Sequence, residues 1–193
     1  MQSRLLILIS LISVLSITGL YAYAASLDVT ILSEVEDDGD KMLGNPMDAA
    51  VITIGDSTYV VVSSQEDGIE IIDISDPANP TSVGSLTDDI HKGGCDSNEV
   101  CLDAANGNAV TTIDGTQYAI IAAPKDHGIE IIDISDPTNP TSVGRLGDDG
   151  TRLLAGAKEI GIYTISGSTY AVVTSGNEDG IQIIDISDPT NPT

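Results

Sequence analysis

The sequence predicts an all-β fold made of three copies of one four-stranded antiparallel unit, and two observations predict it. Gly68 to Gly84 reads GIEIIDISDPANPTSVG, Gly128 to Gly144 reads GIEIIDISDPTNPTSVG, and Gly180 to Thr193 reads GIQIIDISDPTNPT. Around these strings, runs rich in Ile, Val, Thr and Tyr are bounded by Gly, Asp, Asn and Pro, the punctuation of strands and tight turns. The starting glycines are 60 and 52 residues apart, so the period is that of one supersecondary unit.

The first unit supplies the template. Ala49 to Ile54 is its first strand, and the counterparts end at Ile113 and Ile165. Gly55-Asp56-Ser57-Thr58 turns the chain into a second strand, Tyr59 to Ser63, and Gln65-Glu66-Asp67 leads to a third, Ile69 to Ile74. On the third strand, Ile69 and Ile71 point to one face and Ile72 and Ile74 to the other. Both faces need cover, which stacked sheets provide and a lone hairpin does not. Ser75-Asp76-Pro77 and Asn79-Pro80 end the strand, because proline lacks the ladder donor and Asp and Asn side chains bond nearby backbone. Thr81 to Leu86 is the fourth strand.

Gly-Ile-Glu-Ile-Ile-Asp-Ile-Ser-Asp-Pro is similar to the LVIVD repeat of bacterial and archaeal surface and secreted proteins, over residues 49 to 193. The resemblance implies a propeller-like, extracytoplasmic fold and carries no general catalytic residues. Four antiparallel strands at this period also match a β-propeller blade, the alternative being a linear β array. The expected blades span about 36–88, 89–148 and 149–193, with 27–35, centred on Val29 to Leu32, an outer strand that completes another blade. Three blades fall short of the roughly four that a closed ring needs. The expectation is an incomplete propeller that is part of a longer one, the alternative being copies that self-associate to complete the ring.

The N-terminus reads as a signal peptide. Arg4 precedes the apolar run Leu5 to Leu20, and Ala22-Tyr23-Ala24 is a small-x-small cleavage pattern. An uncleaved anchor is the alternative, since Leu5 to Ala24 is long enough to span a bilayer. Either reading places residues 25–193 outside the cytoplasm, secreted or at the cell surface.

Seven Lys and Arg against thirty Asp and Glu give a formal charge of −23. Such a surface repels phosphate backbones and anionic lipid heads, which argues against nucleic-acid and membrane-surface partners. It favours cations, basic partners or solubility in salt. Trp and Phe are absent and Tyr occurs six times, so aromatic platforms for sugars or single-stranded nucleic acid are not expected.

Chemistry is expected on one rim. The loops between second and third strands are Gln65-Glu66-Asp67, Lys125-Asp126-His127 and Asn177-Glu178-Asp179; the blade connections carry Asp37-Asp38, Asp88-Asp89 and Asp148-Asp149. These segments vary between copies, whereas the Ser-Asp-Pro and Asn-Pro turns barely do, and function favours loops that vary over a fixed scaffold. Asp37, Asp38, Asp88, Asp89, Asp148 and Asp149 are candidate ligands for calcium, with solvated turn chemistry the plainer reading. Asp73, Asp133 and Asp185 read as turn-bonding residues.

Cys95 and Cys101 sit in a connection eight residues longer than its later counterpart, Gly84 to Ile113 spanning 29 positions and Gly144 to Ile165 spanning 21. Outside the cytoplasm they are expected to form a disulfide worth about 2 kcal/mol. His91 and His127 form no metal or redox pattern with them. No nucleophile elbow, phosphate loop or zinc-protease helix occurs. The expected function is therefore a non-catalytic binding or scaffolding module with a protein or cell-envelope partner. The alternative is a calcium-dependent structural or enzymatic propeller of which this chain is a fragment.

Overall fold

The computed structural model describes residues 31–37, 39, 41, 43–65, 68–87 and 102–193. Met1–Leu32 and Ser33–Thr193 are separate compact units, and the second carries the fold. The expected signal peptide lies outside the described residues, as do Asp38, Asp88, Asp89, Cys95 and Cys101.

Among the described residues there are eleven strands and no helix. The first blade is β1 (Pro46–Ile54), β2 (Ser57–Ser64), β3 (Gly68–Asp73) and β4 (Thr81–Thr87), hydrogen-bonded in that order. The second is β5 (Asn108–Ile113), β6 (Thr116–Ala123), β7 (Gly128–Asp133) and β8 (Thr141–Gly147), again in chain order. The third holds β9 (Ala157–Ile165), β10 (Ser168–Ser175) and β11 (Gly180–Asp185). All ladders are antiparallel. Residues 31–37 form no ladder.

Two-residue turns join the first two strands of each blade. In the second and third blades both turn residues have positive φ, 50° and 87° at Asp114 and Gly115, 55° and 88° at Ser166 and Gly167. This is the mirror-image turn whose twist matches that of the strands it joins.

The blades stack face to face, as the two-sided third strand requires. Ile69 and Ile71 of β3, with Val61, meet Ala119, Ile121, Ile132 and Ile134 of the second blade. The opposite face of the second blade, with Ile120, Ile129 and Ile131, meets Ala171, Val173, Ile184 and Ile186 of the third. Leu102 and Leu154, at the ends of the two later blade connections, are fully buried in these layers. The first strands lie side by side: Asn108 N donates to Asp48 Oδ2 at 2.9 Å, and Gly107 N to the Lys158 carbonyl at 2.7 Å.

One interlock recurs. Between Ile71/Ile72 and their β4 partners Gly84/Ser82 the register shifts, leaving Val83 as the extra residue of a bulge; Val143 repeats this against Ile131/Ile132. Both valines pack into the layer between blades. The glycine that follows lies against the next blade's turn: a Cβ on Gly84 would strike the Pro137 carbonyl, and one on Gly144 the Pro189 carbonyl. The Thr-Ser-Val-Gly and Asp-Pro segments, nearly invariant between copies, are thus the two halves of one blade-to-blade contact.

Candidate functional site

The turn carboxylates act as the sequence suggests. Asp73, Asp133 and Asp185 each accept the amide hydrogen of the residue two places on, at 2.8, 2.9 and 2.9 Å. The Ser75 hydroxyl and then its amide hold Asp73 below the usual carboxylate range, and the Ser187 amide and then its hydroxyl hold Asp185 there. These residues are scaffold.

The candidate site is the rim where second-to-third-strand loops meet the incoming blade connections. Asp126 Oδ2 accepts the amide of Asp103 at 2.8 Å, and Glu178 Oε2 accepts that of Ala155 at 3.0 Å. The two pairs occupy the same repeat positions, 52 residues apart. Lys125 Nζ pairs with Asp103 Oδ1 at 2.9 Å. His127, with φ 56°, accepts the Gly156 amide on Nδ1 at 3.0 Å, and its carbonyl accepts the Asp148 amide at 2.8 Å. Ser175 Oγ donates to the Ala155 carbonyl at 2.6 Å. Asp126 and Glu178 are therefore tied to the segment that enters their own blade, and His127 to the connection that leaves its blade for the next.

The connection from Asp148 to Gly156 is the most fully bonded part of this rim. Asp148 Oδ1 accepts the Gly150 amide at 2.9 Å. Asp149 Oδ1 takes the Thr151 hydroxyl and amide at 2.6 and 2.9 Å and the Arg152 amide at 3.2 Å, while Oδ2 pairs with Arg152 at 2.7 Å. The Thr151 hydroxyl first, then its amide, with help from Arg152, hold Asp149 below the usual carboxylate range. Gln182 Oε1 accepts the Leu153 amide at 2.9 Å. Leu153 rests over Gly180, where a Cβ would strike its Cδ1, and stays 38 % exposed.

Of the candidate calcium ligands, Asp37 accepts the Gly39 amide at 2.8 Å, as Asp148 does that of Gly150. Among the described residues no three His, Cys, Asp or Glu side chains gather as a metal site. A further feature, silent in the sequence, is an open depression of about 380 Å³ lined by Pro46, Met47, Asp48, Ala49 and Val62.

The LVIVD repeat pattern matches residues 48–88, 116–148 and 165–193, together more than half of the chain. The chain belongs to the LVIVD repeat family. Those segments start near the first or second strand of each blade and end at or just beyond the fourth, or at Thr193, so the LVIVD unit is the blade. The first blade connection, where Cys95 and Cys101 lie, falls between matched segments.

Solved structures with a similar fold include the Bacteroides ovatus xyloglucan PUL GH43B protein, with TM-score 0.52 and 18% identity over 76% of this chain. Another is an exo-β-1,3-galactanase from Phanerochaete chrysosporium, solved with β-1,3-galactotriose, with TM-score 0.54 and 14% identity over 80% of this chain. The LVIVD chain spans 29% and 36% of their lengths. At these identities the likeness is one of fold, a propeller-like array, and it carries no function across. No curated protein matches the sequence.

Proposed function

We propose that this LVIVD chain is a non-catalytic, extracytoplasmic binding or scaffolding module that engages a protein or cell-envelope partner through its loop rim. The observation that carries the reading is the connection Asp148–Gly156. Its amides are taken up by Asp148, Asp149, Glu178, Gln182 and His127, while Leu153 stands partly exposed at its tip. A loop already held in one shape loses little conformational entropy on binding, and an apolar tip ringed by charge is a suitable anchor. Support also comes from the repeat itself, whose invariant residues serve blade packing and leave the variable loops for recognition.

The test is saturable binding of the labelled chain to isolated cell-surface material from its producer. The double variant T151A/L153A is expected to bind at least tenfold more weakly, while D114A at a hairpin turn on the opposite rim binds as before. Absence of saturable binding, or equal loss in both variants, would sink the reading. A rise in melting temperature at millimolar calcium would instead favour the cation-dependent alternative.

A further inference from the structure

We propose that His127 is a proton-operated clasp on the connection between the second and third blades, closed while its imidazole is neutral and released when the ring takes up a proton. The proposal rests on the reading that this rim binds a partner, and it gives that rim a means of regulation. His127 brackets the connection. Its carbonyl accepts the Asp148 amide at 2.8 Å at one end, and its Nδ1 accepts the Gly156 amide at 3.0 Å at the other. Only the second bond depends on the charge of the ring. A neutral imidazole keeps one nitrogen as an acceptor, whereas in the imidazolium both nitrogens carry hydrogen and neither accepts. A protonated His127 sets one N–H against another, so the bond to Gly156 opens while the bond to Asp148 stays.

The other two copies of the repeat carry a different residue at this place. Counting one residue back from Gly68, Gly128 and Gly180 gives Asp67, His127 and Asp179. Asp179 repeats the left-handed backbone of His127, with φ 54° against 56°, a conformation that Asp, Asn and His adopt more readily than most residues. Asp Oδ1 and His Nδ1 are both bonded to Cγ, so the same backbone presents an acceptor at nearly the same point. The two differ in when they titrate. A carboxylate ordinarily keeps its charge down to about pH 4, whereas imidazole is the side chain that gains its proton between about pH 8 and about pH 5. At this position the middle copy alone responds in that range.

The charged groups on the elements around His127 make other contacts. In its own loop, Lys125 pairs with Asp103, and Asp126 takes the Asp103 amide. Along the connection, Asp148 takes the Gly150 amide, and Asp149 pairs with Arg152. From the third blade, Glu178 takes the Ala155 amide, Lys158 lies beside Gly176, and Asp179 is exposed. Opening at Gly156 leaves Asp148 and Ala155 held, so the second blade lets go of the far end of the connection while the third blade keeps it. Leu153 lies between those anchors. Its segment gains freedom that a partner must then restrict, and binding weakens.

The experiment follows amide exchange and binding of the full chain at about pH 7.5 and about pH 5.5, values between which imidazoles change charge. Protection of the Gly156 amide, corrected for the intrinsic exchange rate, should fall about three- to tenfold at the lower pH, the contribution of one hydrogen bond. The Asp148 and Ala155 amides should keep their protection. Saturable binding to cell-surface material from the producer should weaken by a similar factor. His127→Asn keeps an acceptor on Cγ, tolerates the left-handed backbone and does not titrate, so it should protect Gly156 and bind alike at both pH values. His127→Gly lacks the acceptor and should behave at both as the parent does at the lower. His91→Asn changes the other histidine and should respond to pH as the parent does. Equal protection of Gly156 at both pH values, the same fall in His127→Asn, or binding that ignores pH while that protection falls would overturn the proposal. Absence of saturable binding at either pH would sink the rim reading and the regulatory role with it, while Gly156 protection still decides the clasp.

Discussion

Gly144 of β8 lies so close to the carbonyl of Pro189 in the third blade that a methyl group at Gly144 has no room. Both atoms belong to backbone, so neither side can yield by rotating a side chain. Gly144→Ala is expected to destabilise the chain by about 1–3 kcal/mol or more, as overpacking does. Gly161→Ala is the control, since a Cβ there meets nothing within 4 Å. Urea unfolding should show a lower midpoint for the first variant and none for the second.

Glu178 holds the incoming connection of the third blade through the Ala155 amide. Glu178→Ala removes the acceptor and should cost roughly 1–2 kcal/mol, as loss of one partner of a charged hydrogen bond does. Glu178→Gln keeps an acceptor oxygen and should cost less. Hydrogen exchange at the Ala155 amide is the direct readout: faster in the alanine variant, little changed in the glutamine variant.

Ile131 and Ile183 occupy the same position of decapeptides that differ only at Glu130 and Gln182. Ile131 is fully buried and Ile183 half exposed. Ile131→Ala should cost about 2–5 kcal/mol, the usual range for a buried isoleucine. Ile183→Ala should cost far less in the same unfolding experiment. Equal losses would show that the third blade is covered on both faces.

Asp149 is held below the usual carboxylate range by Thr151 and Arg152, Asp76 by Asn79 and then the Ala78 amide, and Asp73 and Asp185 by the serines two places on. A carboxyl group whose folded pKa lies below its unfolded value stabilises the fold fully above the unfolded value. That contribution fades as pH falls through the folded one. The melting temperature should therefore hold above about pH 4 and decline below it. In an NMR titration the Asp149 carboxyl should show a midpoint lower than 3.8. A midpoint at or above that value would contradict the turn geometry.

Much of the fold was legible in the residues. The third strand's Ile-x-Ile-Ile-x-Ile pattern announced a sheet buried on both faces, and the structure places Ile129 and Ile131 in one layer and Ile132 and Ile134 in the other. The turn role of Asp73, Asp133 and Asp185 was equally plain, because an Asx turn needs only residues two positions apart. The site was less legible. Asp126 and Asp103 are 23 positions apart, as are Glu178 and Ala155, and nothing local marks a loop carboxylate as the partner of a distant amide.

By itself, then, the sequence determined the repeat, the strand set and the two-sided burial, because these follow from backbone periodicity and turn chemistry within a few residues. Only the tertiary structure decided which copy of an identical isoleucine is covered. It also showed why Gly84 and Gly144 are glycine and which rim carboxylates are spent on backbone amides. Those outcomes depend on what the neighbouring blade brings into contact, and identical strings in different copies meet different neighbours.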